Sequence, residues 1–195
     1  MLRLLRFIGI AITAAVLSGC ASSYLLDNTV LSFSQLTAVP SAPTYRFERL
    51  PSQQSPAQTQ LEAMADGALH RAGWRRDDAN PRYSVQVSGQ LQRVLSPWAD
   101  PWGGWGSFGV AHRGWGYGLG FGGPFPRMET PWYQRDVAVV IRELPSNRVV
   151  YETRASNAGP WMDSATVFPA MFDAAMQGFP TPPPGPRVVN IQIGR

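Results

Sequence analysis

The sequence predicts an α+β domain: a mainly antiparallel sheet, two helices packed on one of its faces, and a long Gly/aromatic-rich loop between two central strands. Three observations predict it. Tyr83, Val85, Val87 and Leu91 alternate with Ser84, Gln86, Ser88 and Gln90, the period of a strand with one buried and one wet face. Residues 132–143 and 148–154 are two more strand-like runs, joined by Pro145-Ser146-Asn147 as a hairpin. Leu61, Met64, Ala68, Leu69 and Ala72, and later Val167, Phe168, Met171, Phe172 and Ala175, recur at helical spacing.

The chain opens with Arg3 and Arg6, an apolar run over residues 7–17, and then Leu17-Ser18-Gly19-Cys20. This is the layout of an export signal, and its last four residues read as a lipobox. Leu17 and the small pair Ser18 and Gly19 fit a signal-peptidase groove. Cleavage falls between Gly19 and Cys20, and Cys20 takes the lipid. An apolar run of about 11 residues is too short to span a bilayer, which needs about 20. Cys20 is the only cysteine, and an unpaired thiol in an exported protein is explained by lipidation. Several acyl chains, palmitate among them, make such an attachment stable. Ala21 rather than Asp follows the cysteine, which favours transfer to the outer membrane. The expected layout is a signal over 1–19, a lipidated tether over 20–28, and a single periplasmic α+β domain over 29–195. The expected place is the bacterial cell envelope, at the outer membrane and facing the periplasm.

Residues 29–34 alternate loosely as a first strand, and Pro40 and Pro43 break the chain. Residues 44–49 alternate aromatic with charged side chains, with Tyr45 and Phe47 facing inward. Ser55-Pro56-Ala57-Gln58 is a helix start: Ser as cap, Pro at the first helical position, Gln three residues after the cap. Gly73 ends that helix and lets Trp74 pack back on it. Residues 75–81 read as a polar turn of mixed charge. In the later hairpin, Asn147 tolerates positive φ, and Gly159 and Pro160 lead out. Asp163 or Ser164 caps the second helix, in which Pro169 must fall within the first turn to be tolerated. Gly178-Phe179-Pro180 stops it. Residues 181–186 are a stiff Pro-rich connector, and residues 187–193 are a last strand. Burying Tyr83, Val85, Val87, Val137, Val139 and Ile141 under the two helices at roughly 1.5–3 kcal/mol each gives a sufficient core.

Residues 97–126 differ in kind. Trp98, Trp102, Trp105, Phe108, Trp115, Tyr117, Phe121 and Phe125 are interleaved with glycines, and no helical or strand period survives. Glycine raises the entropy cost of ordering, so this reads as a long flexible loop that folding does not need. Loops of such length are uncommon and usually functional. Two readings stand: a low-complexity linker, or a contact surface for lipid headgroups, glycan or protein. In the second, Trp98, Trp102, Trp105, Trp115 and Tyr117 are the contacts. The glycines make no phosphate loop, because GxxxxGK[ST] is missing and the chain has no lysine. Asp100, His112 and Arg113 are too scattered for acid–base catalysis, which needs positioned partners.

The formal net charge is +4, and Arg3 and Arg6 of the signal contribute to it. No basic run is dense enough for a nucleic-acid surface. His70 and His112 stand without a second histidine or a carboxylate at supporting spacing, so the sequence suggests neither metal nor cofactor. An enzyme would need a nucleophile with its base, a carboxylate pair or a metal cluster, and no spacing singles one out. The leading function is a non-catalytic binding or structural module. The lipid on Cys20 reaches the membrane, and an envelope protein, lipid or glycan is the partner. The rivals are a lipid or lipoprotein carrier, which needs an apolar cavity between sheet and helices, and a hydrolase acting on envelope polymers.

The motifs also carry a resemblance. Phe33-Ser34-Gln35-Leu36 before Thr44-Tyr45-Arg46-Phe47, then Leu69 to Gly73-Trp74, then Tyr83-Ser84-Val85-Gln86-Val87, the hairpin, and a helix ending in Phe179-Pro180 follow one another. With the lipobox, this order resembles domain-of-unknown-function family 4136, a set of small bacterial lipoproteins, over most of residues 29–180. Asn80-Pro81 stands where that family often has an acidic residue, and Tyr151-Glu152 where it often has Trp-Gly. The resemblance implies the fold and the lipoprotein nature. It carries no established activity and no catalytic residues.

Overall fold

The computed structural model describes residues 23–96, 131–160 and 163–194. In chain order the elements are β1 (Ser23–Ser34), β2 (Thr44–Phe47), α1 (Pro56–Arg71), β3 (Arg75–Arg76), β4 (Tyr83–Val94), β5 (Trp132–Glu143), β6 (Arg148–Gly159), α2 (Ser164–Met176) and β7 (Arg187–Gly194). Among the described residues the strands form one seven-stranded sheet in the order β3-β2-β4-β5-β6-β1-β7. The pairs β4–β5, β5–β6, β6–β1 and β1–β7 are antiparallel. Strand β2 runs parallel to β3 and β4, because α1 carries the chain back across the sheet between them. The sheet is therefore mixed, though mostly antiparallel, with both helices on one face.

The core lies between that face and the helices. Val85, Val87, Val139 and Ile141 are fully buried from the sheet side, and Leu69 and Phe172 from the helices. Helix α1 starts as its sequence demands, with the Ser55 hydroxyl accepting from the Gln58 N–H at 3.3 Å. It ends at Gly73, whose φ of 94° suits a residue without Cβ. Helix α2 is capped by Asp163, which accepts from the Ala165 N–H.

Gly89 sets how closely α1 approaches β4. A Cβ there would stand 2.7 Å from Leu61 Cδ1 and 3.2 Å from Cδ2. Gly89→Ala is absorbed by a rotamer shift of Leu61, whereas Gly89→Val overpacks the interface and is expected to cost about 1–3 kcal/mol. Urea unfolding measures this, with Ser88→Val on the wet face of the same strand as the control, expected within about 0.5 kcal/mol of the parent.

Several expectations are corrected. Strand β1 begins at Ser23, so residues 23–28, expected in the tether, are sheet. They are held by the ladder from Ser23↔Gly194 to Val30↔Arg187. Arg75 and Arg76, expected in a turn, make a two-residue parallel strand on Thr44 and Tyr45. Leu91, expected in the core, is 42% exposed because β4 outruns the start of α1. Pro169 is the sixth residue of α2, past the first turn. The N–H it lacks would have bonded the Ala165 carbonyl, and Ala165 is exposed, so water can serve that group.

Candidate functional site

The strand ends gather the region of interest. Ser23 opens β1 opposite the closing Gly194 of β7. Val94 closes β4 opposite Trp132, the first residue of β5. Gly159 closes β6 opposite Tyr133, and α2 starts at Ser164. The N-terminal segment that carries Cys20 therefore joins the sheet at the same end from which the chain departs at Ser96 and to which it returns at Pro131. Gly19, Cys20, Trp98, Trp102, Trp105, Trp115 and Tyr117 themselves lie outside the described residues, as does the expected loop 97–126.

On the face away from the helices, this end is apolar except for Gln192, and the next rungs are mostly polar. Val94 and Trp132 face each other across β4 and β5, and Leu25 pairs with Gln192 on β1 and β7. Continued outward, the register Thr29↔Ser156 places Leu25 level with Pro160, one residue beyond β6. One rung inward stand Gln92 opposite Gln134 and Asp27 opposite Asn190. Leu95, just past the strand, is 82% exposed, Leu25 53% and Val94 38%.

Beneath the same end, on the helix-covered face, lies Arg135, which is completely buried. Its guanidinium carbon is 5.6 Å from the centroid of the Tyr133 ring. Nη1 makes a long contact, 3.5 Å, with the Tyr133 carbonyl oxygen. Among the described residues Nε and Nη2 have no hydrogen-bond partner. Burial pushes this guanidinium below its ordinary pKa, against the opposing pull of Tyr24, Tyr133 and Asp163. The Asp163 carboxyl is held below its usual range first by the Thr166 hydroxyl, 2.5 Å away, then by backbone N–H groups and by Arg135. The cluster is a buried cation stabilised by an aromatic face and a nearby helix cap rather than by a bonded carboxylate. It was missed in the sequence, although alternation puts Arg135 on the same face as Val137, Val139 and Ile141.

Elsewhere the ionisable groups hold architecture. Glu62, nearly buried in α1, takes Arg49 in a fork with both contacts at 2.6 Å. Gln58 beside it donates to the Val87 carbonyl. Tyr45 donates to Asp66, and burial first, then Asp66, raises the pKa of its hydroxyl. Asp173 joins α2 to Arg71 of α1. Ser84 donates to Glu48 at 2.7 Å. Thr153 donates to the Ala175 carbonyl at 2.8 Å and meets Ser32, tying β6 to α2 and β1. His70 is exposed on α1. Among the described residues no three His, Cys, Asp or Glu side chains come together as a metal site, and no helix is long and apolar enough to cross a membrane. A surface cleft of about 350 Å³ lies where Ala68, Ala72, Met176, Phe179 and Ile191 meet the Arg71–Asp173 pair.

The motifs that suggested a family come together in space. Trp74 meets Tyr83 edge-on at 5.0 Å and Phe179 at 5.6 Å, and Phe179 meets Tyr151 at 5.1 Å. The sequence profile described as "Domain of unknown function (DUF4136)" matches residues 30–181. The chain belongs to the DUF4136 family. The match stops short of β7, and the part of β1 that precedes it, residues 23–29, pairs with β7.

No curated protein matches this DUF4136 chain in sequence. Among solved structures it is similar to a PelC dodecamer from Paraburkholderia phytofirmans, at 12% identity over 76% of this chain and 94% of that one, with a TM-score of 0.47. It is also similar to a PDZ domain protein from Parabacteroides distasonis, at 16% identity over 88% of this chain and 39% of that one, with a TM-score of 0.48. A minor lipoprotein from Acinetobacter baumannii is similar at 12% identity over 70% and 87%, with a TM-score of 0.34.

Proposed function

We propose that this DUF4136 protein is an envelope lipoprotein, processed before Cys20 and held by its lipid at the outer membrane, facing the periplasm. Its domain serves as a non-catalytic binding or structural module. The observation that carries the binding role is the sheet face away from the helices. There Phe33 is 61% exposed, Val188 69% and Leu31 37%, set among polar neighbours such as Arg154 and Glu152, which pair with Leu31 and Phe33. Exposed apolar side chains gathered within a polar surround mark contact surfaces. The non-catalytic role is supported by the way Glu48, Glu62, Asp66, Asp163 and Asp173 are each engaged in a cap or a tie between elements. The cleft beside Met176 and Phe179 is the feature that favours a lipid carrier instead.

Cys20→Ser tests the anchor. Unprocessed precursor should accumulate, and labelling by a fatty-acid analogue should fall to background. Normal labelling of that variant would sink the lipoprotein reading. In-cell crosslinking of the parent and of Phe33→Ser, both membrane-anchored, tests the module: a crosslinked species lost in Phe33→Ser supports the face as a binding surface, and an unchanged pattern counts against it.

A further inference from the structure

We infer that the end of the sheet where β1 begins is a membrane-contact face, seated in the headgroup layer of the leaflet that holds the lipid. This rests on the anchor at Cys20. Ser23 is already in the sheet, paired with Gly194. Only three residue steps separate it from Cys20, a reach of at most about 10–11 Å. A lipid on Cys20 places that residue at the boundary between acyl chains and headgroups, and the headgroup layer is itself about 5–8 Å deep per leaflet. The end of β1 has almost nowhere to go but the bilayer surface.

The side chains there suit that surface. Leu25, Val94 and Leu95 are exposed, and Trp132 is half-buried directly opposite Val94. Tryptophan is enriched at such interfaces because its ring is amphipathic. Arg93, exposed at the same strand end but on the other face of β4, can keep its guanidinium among lipid phosphates. One rung inward the sheet carries Gln92, Gln134, Asp27 and Asn190, with Ala158 between Gln134 and Asp27, a polarity expected where headgroups give way to water. The change from apolar to polar within a single rung marks a plane across the sheet rather than a pocket. A shallow plane fits a lipid surface, and the nearby anchor raises its effective concentration there, so modest apolar area is sufficient.

The test uses the lipidated full-length protein in phosphatidylethanolamine–phosphatidylglycerol vesicles. The Cys20 sulfur is consumed by the lipid, so an introduced cysteine is the only free thiol. Leu25→Cys, Leu95→Cys and Ser146→Cys, the last exposed in the β5–β6 turn at the opposite end, are each labelled with an environment-sensitive fluorophore. The labels at 25 and 95 should shift to the blue and be quenched by spin-labelled lipid, while the label at 146 keeps its aqueous spectrum. Protein that floats with the vesicles but reports water at all three positions overturns the contact face and leaves the anchor standing. Protein that does not float overturns the anchor reading, and this inference with it.

Discussion

Trp74→Ala is expected to cost about 3–5 kcal/mol, the range for removing a large buried aromatic ring, out of a total stability of about 5–15 kcal/mol. Trp74 is 1% exposed and stands just past the end of α1. Its ring meets Tyr83 at the start of β4, and it meets Phe179 in the segment after α2. Phe179 carries the contact on to Tyr151 of β6. Trp74 and Phe179 together therefore tie the ends of both helices to two central strands, and the cavity left by the Trp74 ring is not closed by moving one element. Its Nε1 has no hydrogen-bond partner among the described residues, so Trp74→Phe removes area but no bond and should cost distinctly less. Urea unfolding of the three proteins decides it. A loss below about 1 kcal/mol for the alanine variant would show that the cluster is peripheral to stability.

Arg135→Met is expected to stabilise the domain by about 1–3 kcal/mol. A buried charge whose desolvation is not repaid by a bonded partner is often better replaced by an apolar chain of similar volume. Arg135 is fully buried, and two of its nitrogens have no hydrogen-bond partner among the described residues. Methionine fills irregular space with little strain and keeps contact with the Tyr133 ring. Arg187 is the comparison. It donates to the Gln177 carbonyl at 2.6 Å and to the Ser32 hydroxyl at 3.3 Å, so Arg187→Met should lower stability. If the denaturation midpoint of Arg135→Met falls instead, the cation contributes to the native fold more than its burial costs. A rise in stability combined with weaker vesicle contact would mean that Arg135 is kept for what it does at the proposed membrane-contact end rather than for folding.

What was legible in the sequence was what depends on near neighbours. The alternation of Tyr83, Val85 and Val87 announced β4, and Ser55-Pro56 announced the start of α1. Pro145-Ser146-Asn147 announced the hairpin, where Asn147 indeed has φ of 52°. The rest depended on partners distant along the chain. Residues 23–28 carry a weak pattern, with Asp27 and Asn28 among leucines. They are strand because β7, at the other end of the sequence, supplies hydrogen-bond partners and Val189 accepts from the Asn28 side chain. Arg75 and Arg76 have no strand character of their own and pair because Trp74 is pinned in the core beside β2. Leu91 has the right period, but the length of α1 decides whether anything covers it. The apolar sheet end was invisible for the same reason, since Leu25, Val94 and Trp132 lie far apart in sequence and are brought level only by the registers of the ladders.

The double pairing of β1 bears on how the domain would withstand force. Residues 23–30 pair with β7 and residues 29–34 with β6, so the strand next to the proposed anchor is paired along its whole length. On the proposed anchor, a tug transmitted from the membrane through Cys20 would act along the axis of β1. Antiparallel hydrogen bonds lie perpendicular to their strands, so such a pull loads the rungs in shear, many at once, instead of peeling them one after another. Strand β7 ends beside the first residues of β1 and so reinforces the stretch that bears the load first. Drag on a bulky partner bound to the domain would then be resisted by the whole ladder, and the fold would behave as a clamp on the proposed tether.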